Sequence, residues 1–176
     1  MKLYTFILTF CFFSFLSAQS RDEQFPLFRS DIAAAYQGIH LTGLSGHASL
    51  IYDGIAGINI GYGYDFLNSY TGSLIFYVNP GPNQFFLFAG YGIFQKREEK
   101  VYSIRIRTVH GGAGYESLIS DRIVVGQTVS VVKYLDEKFS IPDLRTKQSF
   151  ELNESNYVEI GIHLGYRFSL DGLFGR

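Results

Sequence analysis

Cysteine is almost missing from this chain of 176 residues: Cys11 stands alone. A lone thiol closes no disulfide within the chain. That excludes the bridge-stapled scaffolds on which small exported domains commonly rely. Charge of one sign is also missing. The formal net charge is −1, which makes no general case for nucleic acid or for an anionic partner. Beyond the first twenty residues no run is long and apolar enough to cross a membrane as a helix. Amphipathic helical periodicity is poor throughout. Tryptophan is absent and proline occurs only 4 times. What is abundant is aromatic and small: 17 Phe, 13 Tyr and 19 Gly. With few helix formers, that balance points to an all-β chain of one domain.

The chain opens "MKLYTFILTFCFFSFLSAQS". Lys2 supplies a basic start, Leu3 to Leu16 is almost continuously apolar, and Ser17-Ala18 offers small residues for cleavage. This is the pattern of a secretory signal peptide over residues 1–18. The run falls short of the about 20 apolar residues that a spanning helix needs. Cys11 lies inside the apolar run after Phe10, which argues against an acylation site. Cleavage after Ala18 would remove the only Cys and the only Met. An exported chain without a possible bridge must be stabilised by other means.

Segments alternating with period two recur along the rest. Eight are expected: 33–42, 47–53, 56–66, 72–79, 84–95, 101–118, 122–135 and 156–168. "NYVEIGIHLGYRF" (156–168) shows the pattern most clearly. Val158, Ile160, Ile162, Leu164, Tyr166 and Phe168 share one face; Glu159, Gly161, His163, Gly165 and Arg167 share the other. In the third segment Ile58, Ile60, Tyr62 and Tyr64 oppose Asn59, Gly61, Gly63 and Asp65. The sixth changes phase: Tyr102, Ile104 and Ile106 are even, whereas Val109, Ala113 and Tyr115 are odd. Either a glycine-bearing bulge at "HGGAG" shifts the register, or Arg105 and Arg107 point outward above a membrane, where charge costs little.

The connections "DGI", "PGPN" and "ISD" are short and turn-like. They alternate with "GLSG", "LNSYT", "KREEK" and the long polar stretch "DEKFSIPDLRTKQSFELNESN". Short periplasmic turns alternating with longer outer loops is the pattern of outer-membrane barrels. Volume decides the orientation of the faces. Eight strands leave an interior that takes only side chains of mixed size, so uniformly bulky inward faces would overfill it. Turned outward, they meet no such limit, and the glycines of the other face relieve crowding inside. The expected fold is a closed antiparallel up-and-down transmembrane β-barrel of about eight strands. It comprises a periplasmic segment 19–32, a barrel 33–168 and a tail 169–176. The competing architecture is an exported soluble barrel of the lipocalin type.

The signal peptide, the eight alternating segments and the ending "IGIHLGYRF" resemble the small outer-membrane β-barrels of the OmpA/OmpX-like and opacity-type surface proteins. The resemblance spans about 33–168. It implies residence in the bacterial outer membrane, contact with its lipid, and no cofactor. It also implies that the last strand is read by the barrel-assembly machinery, with Gly161, Leu164, Tyr166 and Phe168 as the signal. The family commonly ends on its terminal aromatic, whereas this chain continues "SLDGLFGR".

Chemistry-bearing residues are sparse. Asn59, Asp65, Glu159, His163 and Arg167 are expected to form a structural polar network in the lumen, since buried charges need partners. "HAS" (47–49) places a His and a Ser on one face, as in outer-membrane lipid A deacylases, but no acid follows at a comparable distance and the catalytic set is incomplete. His40, His47, His110 and His163 lie on four different segments, without metal-ligand spacing. The glycines of 57–63 lie inside a strand and cannot form a phosphate-binding loop. The expected function is therefore non-enzymatic: a structural or surface-interacting barrel, with 96–100 and 134–156 as loops that could meet a partner. A lipid-modifying enzyme and a soluble binding barrel are the alternatives.

Overall fold

Eight antiparallel strands follow one another around a closed ring in chain order, in a computed structural model that describes residues 28–37, 43–64, 68–78, 81–98, 102–140 and 156–170. They are β1 (Phe28–Gln37), β2 (Gly43–Tyr52), β3 (Ala56–Tyr64), β4 (Asn68–Tyr77), β5 (Asn83–Glu98), β6 (Tyr102–Leu118), β7 (Ile123–Ser140) and β8 (Asn156–Ser169). The ring closes where β1 pairs with β8, from Arg29 opposite Ser169 to Gln37 opposite Gly161. Closure leaves no strand edge unpaired. The expected signal peptide, residue Asp65, the centre of the long loop and the tail beyond Leu170 lie outside the described residues.

The alternating residues fall as volume requires. Ile58, Ile60, Tyr62 and Tyr64 all point outward, as do Val158, Ile160, Ile162, Leu164, Tyr166 and Phe168. Ile60 is 64% exposed and Leu164 59%. The interior takes Arg29, Asp31, Ile51, Ile75, Tyr77, Phe86, Phe94, Ile106, Glu116 and Arg167, all buried. Two apolar clusters flank its centre. Ile51, Ile75, Tyr77 and Phe86 gather toward the tight-turn end, and Phe94 with Ile106 toward the loop end.

The tight turn between β2 and β3 shows how local chemistry sets register. Ile55 N–H donates to the Tyr52 carbonyl at 3.0 Å. Asp53 and Gly54 both have positive φ, 51° and 63°. Two such residues make the type I′ turn whose twist matches a hairpin, and Asp-Gly is a favoured pair for it. Gly54→Val is expected to cost about 1–2 kcal/mol, the penalty for a Cβ in the left-handed region. Urea unfolding in detergent micelles would measure it.

Several boundaries differ from expectation. The first strand begins at Phe28, not 33, so residues 28–32 of the expected periplasmic segment belong to the barrel. Here the inward residues are Arg29 and Asp31, and "FRSDI" therefore hides its alternation. "GLSG" lies within β2, and β4 begins inside "LNSYT". At the loop end β5, β6 and β7 run 16, 17 and 18 residues, taking in 96–98 and 134–140 of the stretches expected as loops. The ladder continues there through polar positions such as Arg107 opposite Asp136. Apolar alternation has ended at that height, but hydrogen bonding has not.

The sixth strand keeps one phase. Ile104, Ile106, Thr108, His110, Gly114 and Glu116 are its inward-parity positions, while Arg105, Arg107 and Val109 are exposed. The expected bulge at "HGGAG" is absent, and β6 pairs with β5 without interruption. Arg105 and Arg107 point outward. Ile104 and Ile106 turn inward, to the apolar cluster at the loop end. Among the described pairings the register shifts between Arg107 and Thr108, where β7 carries Leu135 as its extra residue.

Candidate functional site

Alternation brings charge into the lumen from three strands, β1, β6 and β8. Asp31 of β1 stands directly opposite Arg167 of β8 in the register that closes the ring. Arg167 grips it with both ends of the guanidinium fork: Nε donates to Oδ1 at 2.9 Å and Nη2 to Oδ2 at 3.1 Å. Such bidentate pairs are the strongest of the charge-assisted hydrogen bonds. From across the lumen Glu116 of β6 joins them. Its Oε2 accepts from Arg167 Nη2 at 3.2 Å and from the Tyr77 hydroxyl of β4 at 3.2 Å. Its Oε1 lies 3.3 Å from His163 Nε2. Arg29, fully buried, lies 3.9 Å from Asp31 through Nε, and its guanidinium sits 4.6 Å over the Tyr77 ring. Two guanidiniums thus face two carboxylates, tying β1, β4, β6 and β8 together.

The lumen also holds open space. A cavity of about 100 Å³ is lined by His47, Asn59, Ser73, His110, Ser130 and Glu159, among others. That is room for several waters, which need about 10–15 Å³ each by this measure. His47 Nε2 is hydrogen-bonded to Ser45 Oγ at 2.8 Å, and His110 Nε2 to Ser73 Oγ at 2.9 Å. Asn59 Oδ1 is buried with no hydrogen-bond partner. A water in this cavity could satisfy it.

Each of these histidines stands opposite a glycine. His47 pairs with Gly61, His110 with Gly90 and His163 with Gly126 in the strand registers. A Cβ built on any of the three would collide with the facing imidazole. The glycines therefore supply the width that lets flat rings lie across the sheet inside a narrow barrel. Gly126→Ala is expected to push the His163 ring off Glu116 and cost about 1–3 kcal/mol, the usual penalty of overpacking. Imidazole NMR shifts in micelles would report the displaced ring.

The expected lumen residues sit as follows. His163 and Arg167 both meet Glu116, although they are separated along β8. Glu159 lines the cavity further up, and Asn59 lines it from β3. Asp65 lies outside the described residues. The partners that complete the network, Arg29, Asp31, Tyr77 and Glu116, went unnoticed in the sequence. A signal was present: "RSD" and "YES" each place an acid at an inward position, where it requires a counter-charge. Gly161 points inward, and Leu164, Tyr166 and Phe168 point outward. The His47–Ser49 pair faces the lumen rather than lipid, and the serine bonded to His47 is Ser45. Among the described residues no three His, Cys, Asp or Glu side chains gather as metal ligands.

No protein-family model matches the chain, and no curated protein matches it in sequence. Among solved structures the barrel overlays the N-terminal β-barrel domain of Pseudomonas aeruginosa OprF with a TM-score of 0.50. The overlay covers 80% of this chain and 96% of that one at 10% identity. The two are alike in fold. Strand number and closure are thus shared at an identity too low to carry over side-chain roles.

Proposed function

We propose that the chain is an integral outer-membrane β-barrel protein, non-enzymatic, with a structural role and surface contacts made through its outer loops. The observation that carries this reading is the inversion of the barrel. Its outer wall is apolar over most of its height, while Arg29, Asp31, Glu116 and Arg167 are locked inside. A soluble barrel would face the opposite way, and a continuous apolar wall is a surface that water does not tolerate. Aromatic residues mark the tight-turn end: Phe28 with Tyr52 (centroids 5.2 Å apart), Phe85 with Tyr115 (4.8 Å) and Tyr166 with Phe168 (4.7 Å). Tyr62 and Tyr70 pair near the other end. Girdles of this kind sit at the two interfaces of a bilayer. Export by residues 1–18 and recognition of β8 by the assembly machinery, through Gly161, Leu164, Tyr166 and Phe168, belong to the same reading. So does partner contact through 96–100 and 134–156.

Membrane fractionation followed by a gel of heated and unheated samples tests it. The folded barrel should remain with the membrane after salt washing and migrate faster unheated than heated. Release by salt would remove the membrane assignment. The small lumen cavity also argues against an open pore, since eight strands leave an interior filled by side chains.

A further inference from the structure

The chain is nearly neutral overall, yet its outward charge is not evenly spread. Arg105 and Arg107 on β6 and Lys133 on β7 are all exposed on the outer wall. They form one sector. Arg107 stands opposite Asp136, next along the ladder from Thr108 opposite Tyr134 and Val109 opposite Lys133, which puts Lys133 diagonal to it. Arg105 lies two residues beyond, opposite Gln95 on β5 and Lys138 on β7. By register, these three exposed cations fall within four residues of one another along the β6–β7 ladder. On the far side of the same end the outward residues are Tyr36, Leu44, Tyr64 and Tyr70, which carry no charge.

Height places the sector. Arg105 is ten residues up β6 from Tyr115 of the aromatic girdle, and Lys133 ten residues up β7 from Ile123. With strands tilted by about 40°, ten residues climb about 26 Å, which matches an apolar band about 25 Å tall. The cations therefore emerge where lipid chains give way to headgroups. Below them the wall is apolar again: Val129 and Val131 are 53% and 52% exposed. The combination is a cationic rim directly above an acyl-chain surface. A free anion would use the rim alone, whereas a lipid uses both parts.

We propose that this β6–β7 sector is a binding site for a phosphate-bearing lipid of the leaflet at the loop end, with Arg105, Arg107 and Lys133 on the headgroup phosphate and the apolar wall beneath on its chains. The inference rests on the membrane reading above and adds to it a lipid class and a place. Guanidiniums suit phosphate because their planar fork matches its oxygens.

The test reconstitutes the full mature barrel into phosphatidylcholine nanodiscs containing a small fraction of spin-labelled phosphatidic acid or, in a parallel sample, spin-labelled phosphatidylcholine. The motionally restricted fraction is read by electron paramagnetic resonance. Phosphatidic acid should be held preferentially, and excess inorganic phosphate should not displace it. The preference should fall about fivefold for each cation removed, and roughly a hundredfold in R105Q/R107Q/K133Q, following the usual gain per basic residue at an anionic surface. Arg122→Gln, at the opposite end, should leave it unchanged. The gel shift on heating checks that each variant is folded, and R105Q alone serves if the triple variant is not. Equal restriction of both lipids, a preference untouched by the substitutions, or full displacement by inorganic phosphate would each overturn the proposal while leaving the membrane reading intact. Failure of the wild-type protein to enter nanodiscs at all would remove both.

Discussion

Replacing Arg167 with alanine is expected to be among the most damaging single changes in this protein. It would cost about 3–5 kcal/mol, the range seen when one partner of a buried ion pair is removed. Arg167 touches two lumen carboxylates, Asp31 on one side and Glu116 on the other. Its loss strands two buried negative charges, with Arg29 left 3.9 Å from Asp31 and His163 3.3 Å from Glu116. It also removes the fork that joins β1 to β8, where the ring closes. Urea unfolding in micelles would measure the loss against typical stabilities of about 5–15 kcal/mol. A combined Arg29→Met, Asp31→Asn, Glu116→Gln, Arg167→Met variant should recover most of it, because both guanidiniums and both carboxylates then go together. A cost below about 1 kcal/mol for Arg167→Ala would instead mean that water from the cavity reaches and hydrates the carboxylates, as at a surface pair.

The second large effect lies on the outer wall and depends on height. Ile60 is five residues up β3 from the Ile55 turn, which places it about 13 Å into an apolar band about 25 Å tall. Ile60→Arg should then cost about 2–4 kcal/mol, the penalty for a cation at the midplane of a barrel wall. Tyr64→Arg, four residues further up the same strand at the opposite rim, should cost only about 0–1 kcal/mol. Both side chains are well exposed, at 64% and 68%. A soluble barrel would therefore accept either arginine within about 0.5 kcal/mol. Unfolding of the two variants in bilayer vesicles decides the matter: equal, small effects would remove the lipid from around the barrel.

Strand number, chain-order pairing and the outward direction of Ile58, Ile60, Ile162 and Leu164 were legible because they follow from period two and from the volume of a small barrel. The lumen site was legible only by half. His163 and Arg167 announce themselves as polar residues inside a strongly alternating strand. Asp31 and Glu116 do not, since "FRSDI" and "GYESL" carry too few apolar residues to show a face. The ends of β5 and β7 were read as loops because their ladders continue above the apolar band, where nothing selects for alternation. The phase change in β6 is a genuine property of its residues. It records a lumen that turns apolar around Ile106 and Phe94 and a wall that turns basic at Arg105 and Arg107, without any shift in the strand itself.

By itself, then, the sequence determined a closed barrel with its aliphatic face outward. That conclusion needs only side-chain periodicity and the space available within eight strands. The tertiary structure alone decided which charges meet. Asp31 and Arg167 are separated by nearly the whole chain and become neighbours only because the ring closes. Glu116 reaches them from the far wall. Contacts across a closed ring depend on register and diameter, and neither is written in the local pattern of any one strand.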